Sequence, residues 1–144
     1  CGEGGGGGAE NILKDLIFFM YHGTTLTNAL KITRGGFLPS SNGMLGPGVY
    51  LSWSLQKASA YAHHLPPREE QAILKVRVHV HKVKKIDRQG HHLQKRWHRK
   101  GYDTAWVPPN CGMVASGLEE HCVPPNTICK NPPRLEECLR RSYR

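Results

Sequence analysis

Hydrophobic and polar side chains alternate most regularly between Ile73 and Val83, where Leu74, Val76, Val78 and Val80 are separated by Lys75, Arg77, His79 and His81. A period of two predicts a strand with one buried face. The longest apolar stretch, Leu16 to Tyr21, follows the more polar run Asn11 to Asp15, which also holds Ile12 and Leu13, and has the length of a buried strand. It is far short of the roughly 18 apolar residues that a membrane span needs. Thr24 or Thr25 caps a short helix in which Leu26, Ala29 and Leu30 recur at helical spacing, and Gly35-Gly36 ends it. Phe37 to Pro47 reads as a loop and Val49-Tyr50-Leu51 as a short strand. Ser54 is the expected N-cap of a second helix that runs to about His63, ahead of Pro66-Pro67. Residues 84–102 are basic and irregular. Thr104 to Val107 is strand-like up to Pro108-Pro109, and His121 to Val123 and Thr127 to Cys129 are further short strands. Strands and short helices interleave without a βαβ rhythm, so the expected class is α+β, mostly strand.

A length of 144 residues fits one core rather than two. That domain is expected over 11–144, behind a flexible Gly-rich tail over 1–10 that lacks the apolar segment of a signal peptide. The net charge of +9 points to an anionic partner. Lys82, Lys84 and Lys85, then Lys95, Arg96, Arg99 and Lys100, carry much of it. The segment 82–100 therefore reads either as a patch for RNA or another polyanion, or as a solvated basic loop; its one aromatic, Trp97, matches no nucleic-acid module. The five cysteines contain no CxxC pair and their number is odd, which favours reduced thiols and a cytoplasmic setting. His79 and His81 share a strand face, but two ligands do not make a metal site, and none is expected.

Three places concentrate chemistry. Tyr21-His22-Gly23-Thr24 ends an apolar strand in an imidazole and a glycine, where a ligand can approach the backbone closely. Gly48-Val49-Tyr50-Leu51-Ser52 is followed by Lys57 and Tyr61, which are i and i+4 on one helix face. Glu119-Glu120-His121-Cys122-Val123 places carboxylates at the start of a strand. Taken singly, these read more readily as a structural histidine, half-buried core tyrosines and an exposed acidic edge. Gly43, Gly46 and Gly48 invite a phosphate-loop reading, but with no GK[ST] and no long helix straight after them the motif is weak.

Taken in order, they resemble the signature of the poly(ADP-ribose) polymerase (PARP) type ADP-ribosyltransferases, which use a His on a first strand, a Tyr on a second and a Glu near the C-terminus. Tyr21 to Thr24 resembles the family's aromatic-HG-[ST] segment, and Gly43 to Ser52 its G-x-G-[IV]-Y-[FL] segment. Lys57 to Tyr61 resembles its K-S-x-x-Y helix start, and Glu120 to Val123 its E-Y-C-V strand. The likeness covers about residues 16–130 and is greatest to the small virus-inducible PARP-like proteins of fish, which implies an antiviral, innate-immune setting.

The resemblance implies the ADP-ribosyltransferase fold, with NAD⁺ as substrate and an unidentified protein or nucleic-acid acceptor. His22 would bind the adenosine ribose, Gly23 the nicotinamide carboxamide, with Thr24 beside it, and Tyr50 and Tyr61 would stack on the two faces of the nicotinamide ring. Glu120 would meet the ribose 2′-OH and stabilise developing positive charge, with Lys57 orienting it. Two departures stand out. Ala58 takes the place of the family's carboxamide-binding serine, a loss of about 1 kcal/mol that Ser59 could recover only by a register shift. His121 takes the place of a tyrosine. Only one of Glu119 and Glu120 can face the pocket, and the register of Cys122-Val123 favours Glu120. The rival implication is a catalytically weak or inactive module that binds NAD⁺, ADP-ribose or RNA.

Overall fold

The computed structural model describes residues 10–41, 43–62, 70–129 and 134–139, with 10–16, 60–62 and 134–139 as strand or helix backbone. Its class is α+β: the described residues form one mixed sheet and two short α-helices. The tail over 1–9 lies outside the described residues, and Glu10 already begins the first strand.

Strand β1 (Glu10–Thr25) is longer than its apolar run because it pairs antiparallel with β3 (Gln71–Lys85) from Glu10↔Lys84 to Thr25↔Gln71. Glu10, Asn11 and Ile12 pair with Lys84, Val83 and Lys82, and the register then shifts before Leu16↔Val80, so pairing with β3 and not the apolar run sets where the strand begins. β3 keeps the expected alternation: Leu74, Val76, Val78 and Val80 are buried, while Arg77, His79 and His81 are exposed. Helix α1 (Leu26–Gly35) is capped by Thr25, whose Oγ1 accepts the Asn28 N–H. It buries Ala29 and packs Leu26 and Ile32 on the core, while Leu30, expected inward, faces solvent.

β2 (Val49–Leu51) leads into α2 (Leu55–Ala62), whose first turn is capped by Ser54 accepting the Lys57 N–H. β4 (Thr104–Val107) runs parallel to the end of β3, and β5 (Glu120–Val123) lies antiparallel between β4 and β2. Thr127 to Cys129 is not a strand of its own: 125–127 is a 3-10 turn, and Ile128 bridges singly to Val78. β6 (Arg134–Leu139) fills the edge of β3 at Gln71–Lys75.

The order β1-β3-β4-β5-β2 nearly closes on itself, since Tyr21 and Ser52 exchange backbone hydrogen bonds of 2.7 and 3.0 Å. Alternation then divides two cores. Val49, Leu51 and Val123 join the cluster under α1 and β3, whereas Cys122, Ala105 and Val107 join Leu45, Ile86 and Trp97 on the opposite side. No helix among the described residues is long and apolar enough to cross a membrane.

Candidate functional site

A cleft of about 440 Å³ opens beside the Tyr21–Ser52 join. That volume lies within the range of small-molecule sites. His22 and Gly23 reach it from β1, Tyr50 from β2, Lys57 and Ala58 from the first turn of α2, and Glu120 from the start of β5. Residues as far apart as Tyr21 and Glu120 meet there only because the sheet brings its two ends together.

His22 is held by two contacts. Its Nδ1 lies 2.9 Å from the Tyr50 carbonyl, and Phe37 meets its ring edge-on at 5.1 Å between centroids. Burial lowers its pKa, with the Tyr50 carbonyl pulling the other way. The neutral ring therefore donates from Nδ1 and keeps Nε2 as an acceptor.

Tyr50 is tied to the loop above it. Its hydroxyl donates to the Gly46 carbonyl at 2.6 Å and accepts the Leu45 N–H at 2.9 Å. Burial first, then the neighbouring Cys122, raises the phenol far above its usual pKa, so the donor proton stays in place. Gly43 lies directly on the ring, where an added Cβ would overlap Tyr50 Cζ and the hydroxyl oxygen. The loop is also clamped at its base by mutual hydrogen bonds between Ser40 and Gly48, at 2.8 and 3.0 Å. From outside, Trp97 Nε1 donates to the Leu45 carbonyl at 2.8 Å and Gln94 Nε2 to the Met44 carbonyl at 3.0 Å. The basic segment is thus part buttress, with Trp97 and His91 buried. Replacing Tyr50 with phenylalanine leaves the buried Leu45 N–H and Gly46 carbonyl without a partner. Thermal or denaturant unfolding should show a loss of about 1–3 kcal/mol.

Two adjacent carboxylates have different jobs. Glu120 pairs across the sheet with Val107, on the Tyr50–Cys122 side, and its Oε1 lies 3.6 Å from Lys57 Nζ. Burial raises its pKa, and Lys57 draws it back down. Glu119 points the other way. Its Oε1 accepts the Ser52 hydroxyl and, at 2.9 Å, the Trp53 N–H, closing the turn into α2. Its Oε2 is 3.3 Å from His121 Nε2. Burial takes His121 down to a pKa of about 3, so the contact is not an ion pair at neutral pH. His121 instead lies between Trp53 and Trp106, at 4.8 and 6.1 Å.

Of the residues singled out in the sequence, His22, Gly23, Tyr50, Lys57 and Glu120 line one cleft. Thr24 is buried and is not among the lining residues; Ala58 lines the cleft and Ser59 does not. Tyr61 falls in α2, with its side chain outside the described residues. Phe37, Gln94, Trp97 and the Ser52–Glu119 contact had no local signal, since each acts through a partner distant in sequence. Cys111, Cys122 and Cys129 are free thiols. Burial raises Cys122 to a pKa of about 12, which makes it a poor nucleophile. Among the described residues, no group of three or more His, Cys, Asp or Glu is placed to hold a metal ion. No protein-family model matches the chain, and no curated protein matches it.

Proposed function

We propose that the cleft binds NAD⁺ and that the protein transfers ADP-ribose from it to an acceptor, releasing nicotinamide, on an ADP-ribosyltransferase fold. The observation that carries this reading is the convergence of His22, Tyr50 and Glu120 on one cleft, with Lys57 against Glu120. Their order and local words resemble the PARP-type signature.

On this reading each side chain has a task its environment suits. The His22 Nε2 acceptor takes a hydrogen bond from an adenosine-ribose hydroxyl. Tyr50 presents its ring to the nicotinamide, having committed its hydroxyl to the loop. Glu120 accepts from the nicotinamide-ribose 2′-OH, and its charge is worth most as the sugar becomes cationic beside this half-buried carboxylate. The C1′–N bond breaks with its electron pair going to the pyridine nitrogen, which becomes neutral. A lone pair of the acceptor forms the new bond to C1′, and the acceptor's proton goes to solvent. No covalent protein nucleophile is needed.

Ala58 favours a second reading, a module that binds NAD⁺ or ADP-ribose with little turnover, because it removes one carboxamide contact. Ala58→Ser should tighten binding of a nicotinamide mimic such as benzamide by about fivefold, the equivalent of one neutral hydrogen bond. Calorimetric titration with NAD⁺, followed by an assay of nicotinamide release, tests the whole reading. Binding with release supports transfer. Binding without release supports the module instead, and no binding at millimolar NAD⁺ sinks both.

A further inference from the structure

The outer face of the β1/β3 pair carries an arrangement that the first cleft does not use. Cross-strand register sets Phe19 opposite Arg77 and Ile17 opposite His79. Phe19 is 54% exposed and Ile17 45%, and the Lys75 ammonium lies 5.1 Å from the Phe19 ring centroid. Lys75, Arg77, His79 and His81 share this face because they alternate with the buried valines. An aromatic ring left in water among cations has both components of a stacking platform for nucleic acid.

The row leads into a second cleft, also of about 440 Å³, which shares no residue with the first. His79, His81, His98, Tyr102, Asp103 and Asn126 are among its lining residues. Its one carboxylate, Asp103, is engaged: Oδ2 accepts the backbone N–H groups of His81 and Lys82 at 3.0 and 2.9 Å. Lys82 and Lys84 hold their ammonium groups 4.7 and 5.4 Å from the Tyr102 ring, and Arg99 and Lys100 follow His98 on an exposed 3-10 turn. Cations therefore surround a donor-rich hollow, in a chain of net charge +9.

We infer that this face and the second cleft together bind single-stranded nucleic acid. Phe19 stacks on a base, Lys75 and Arg77 neutralise backbone phosphates, and His79, His81 and His98 line the hollow that takes the neighbouring phosphate. A duplex offers phosphates but no free base face, whereas every nucleotide of a single strand carries both a phosphate and a base face, so the single strand uses both halves of the surface. The inference stands apart from the NAD⁺ reading.

Fluorescence anisotropy of a labelled single-stranded oligouridine over a salt series tests it. Phe19→Ala is expected to weaken binding about tenfold, the usual scale of one lost base stack, with the salt slope unchanged. Lys75→Gln with Arg77→Gln should lower the slope of log K against log salt by about 1.4, for two phosphate contacts on a single strand. Both variants alter exposed or half-exposed side chains, and unchanged melting temperatures confirm that they fold. Tighter binding of the single strand than of its duplex supports the inference. It is overturned if wild type fails to bind at low salt, if the duplex binds as tightly, or if both variants bind normally while Lys95→Ala with Arg96→Ala abolishes binding.

Discussion

Glu120→Gln is expected to slow nicotinamide release from NAD⁺ by about 100-fold or more, the loss seen when one preorganised transition-state contact is removed. The substitution keeps the shape of the side chain beside Lys57 and takes away only its charge. NAD⁺ affinity should change much less, because the interaction strengthens as the sugar becomes cationic. Glu119→Gln is the matched control. Its amide carbonyl can still accept from Ser52 and Trp53, and its side chain projects away from the cleft, so turnover should stay near wild type. The pH profile gives an independent readout. Because burial raises the Glu120 pKa, the acid limb of activity should lie above the range of an ordinary carboxylate. Lys57→Ala removes the charge that draws that pKa down, and should move the limb further toward neutral pH. Equal losses in both glutamine variants, or a limb that ignores Lys57, would contradict the roles assigned to the two carboxylates.

His121→Phe should remove a large part of the protein's acid sensitivity. The ring is 3% exposed, the Glu119 carboxylate 3.3 Å from Nε2 makes no hydrogen bond with it, Nδ1 has no hydrogen-bond partner, and burial takes its pKa down to about 3. The unfolded chain takes up a proton near 6.5, whereas the folded chain resists until about pH 3, so more protons are bound unfolded between those values. Stability contributed by the neutral ring is therefore complete above about pH 6.5 and declines as pH falls toward 3. Between pH 7.5 and pH 5 that loss is about 2 kcal/mol, equivalent to about 4–8 °C in melting temperature for a chain of this size. His22 and His91, whose pKa values are also lowered, act in the same direction. Phenylalanine keeps an aromatic ring between Trp53 and Trp106 and has no proton to gain. Melting curves at the two pH values should show a smaller difference for the variant by about that amount; an identical difference would mean that His121 does not carry it.

Local periodicity and capping determined much of the scaffold. The valines of β3 alternate with polar residues because one face of a strand is buried, and Thr25 and Ser54 announce their helices because a hydroxyl must satisfy the first free N–H groups. His22, Tyr50, Lys57 and Glu120 were legible as short words in a fixed order, each word carrying its own strand end or helix start. What only the tertiary structure decided depends on partners far along the chain. Glu10 to Ile12 and β6 are strand because they pair with β3, not because of a regular apolar alternation. Alternation alone says that Glu119 and Glu120 face opposite ways; the Val107↔Glu120 register and the Ser52 hydroxyl settle which is which. Trp97 looked like part of a basic loop, yet it is a buried post under Leu45, fifty-two positions away, and through Leu45 it supports Tyr50. Such contacts join residues far apart in the chain, as does the closure between Tyr21 and Ser52, and nothing local in the chain encodes where that closure falls.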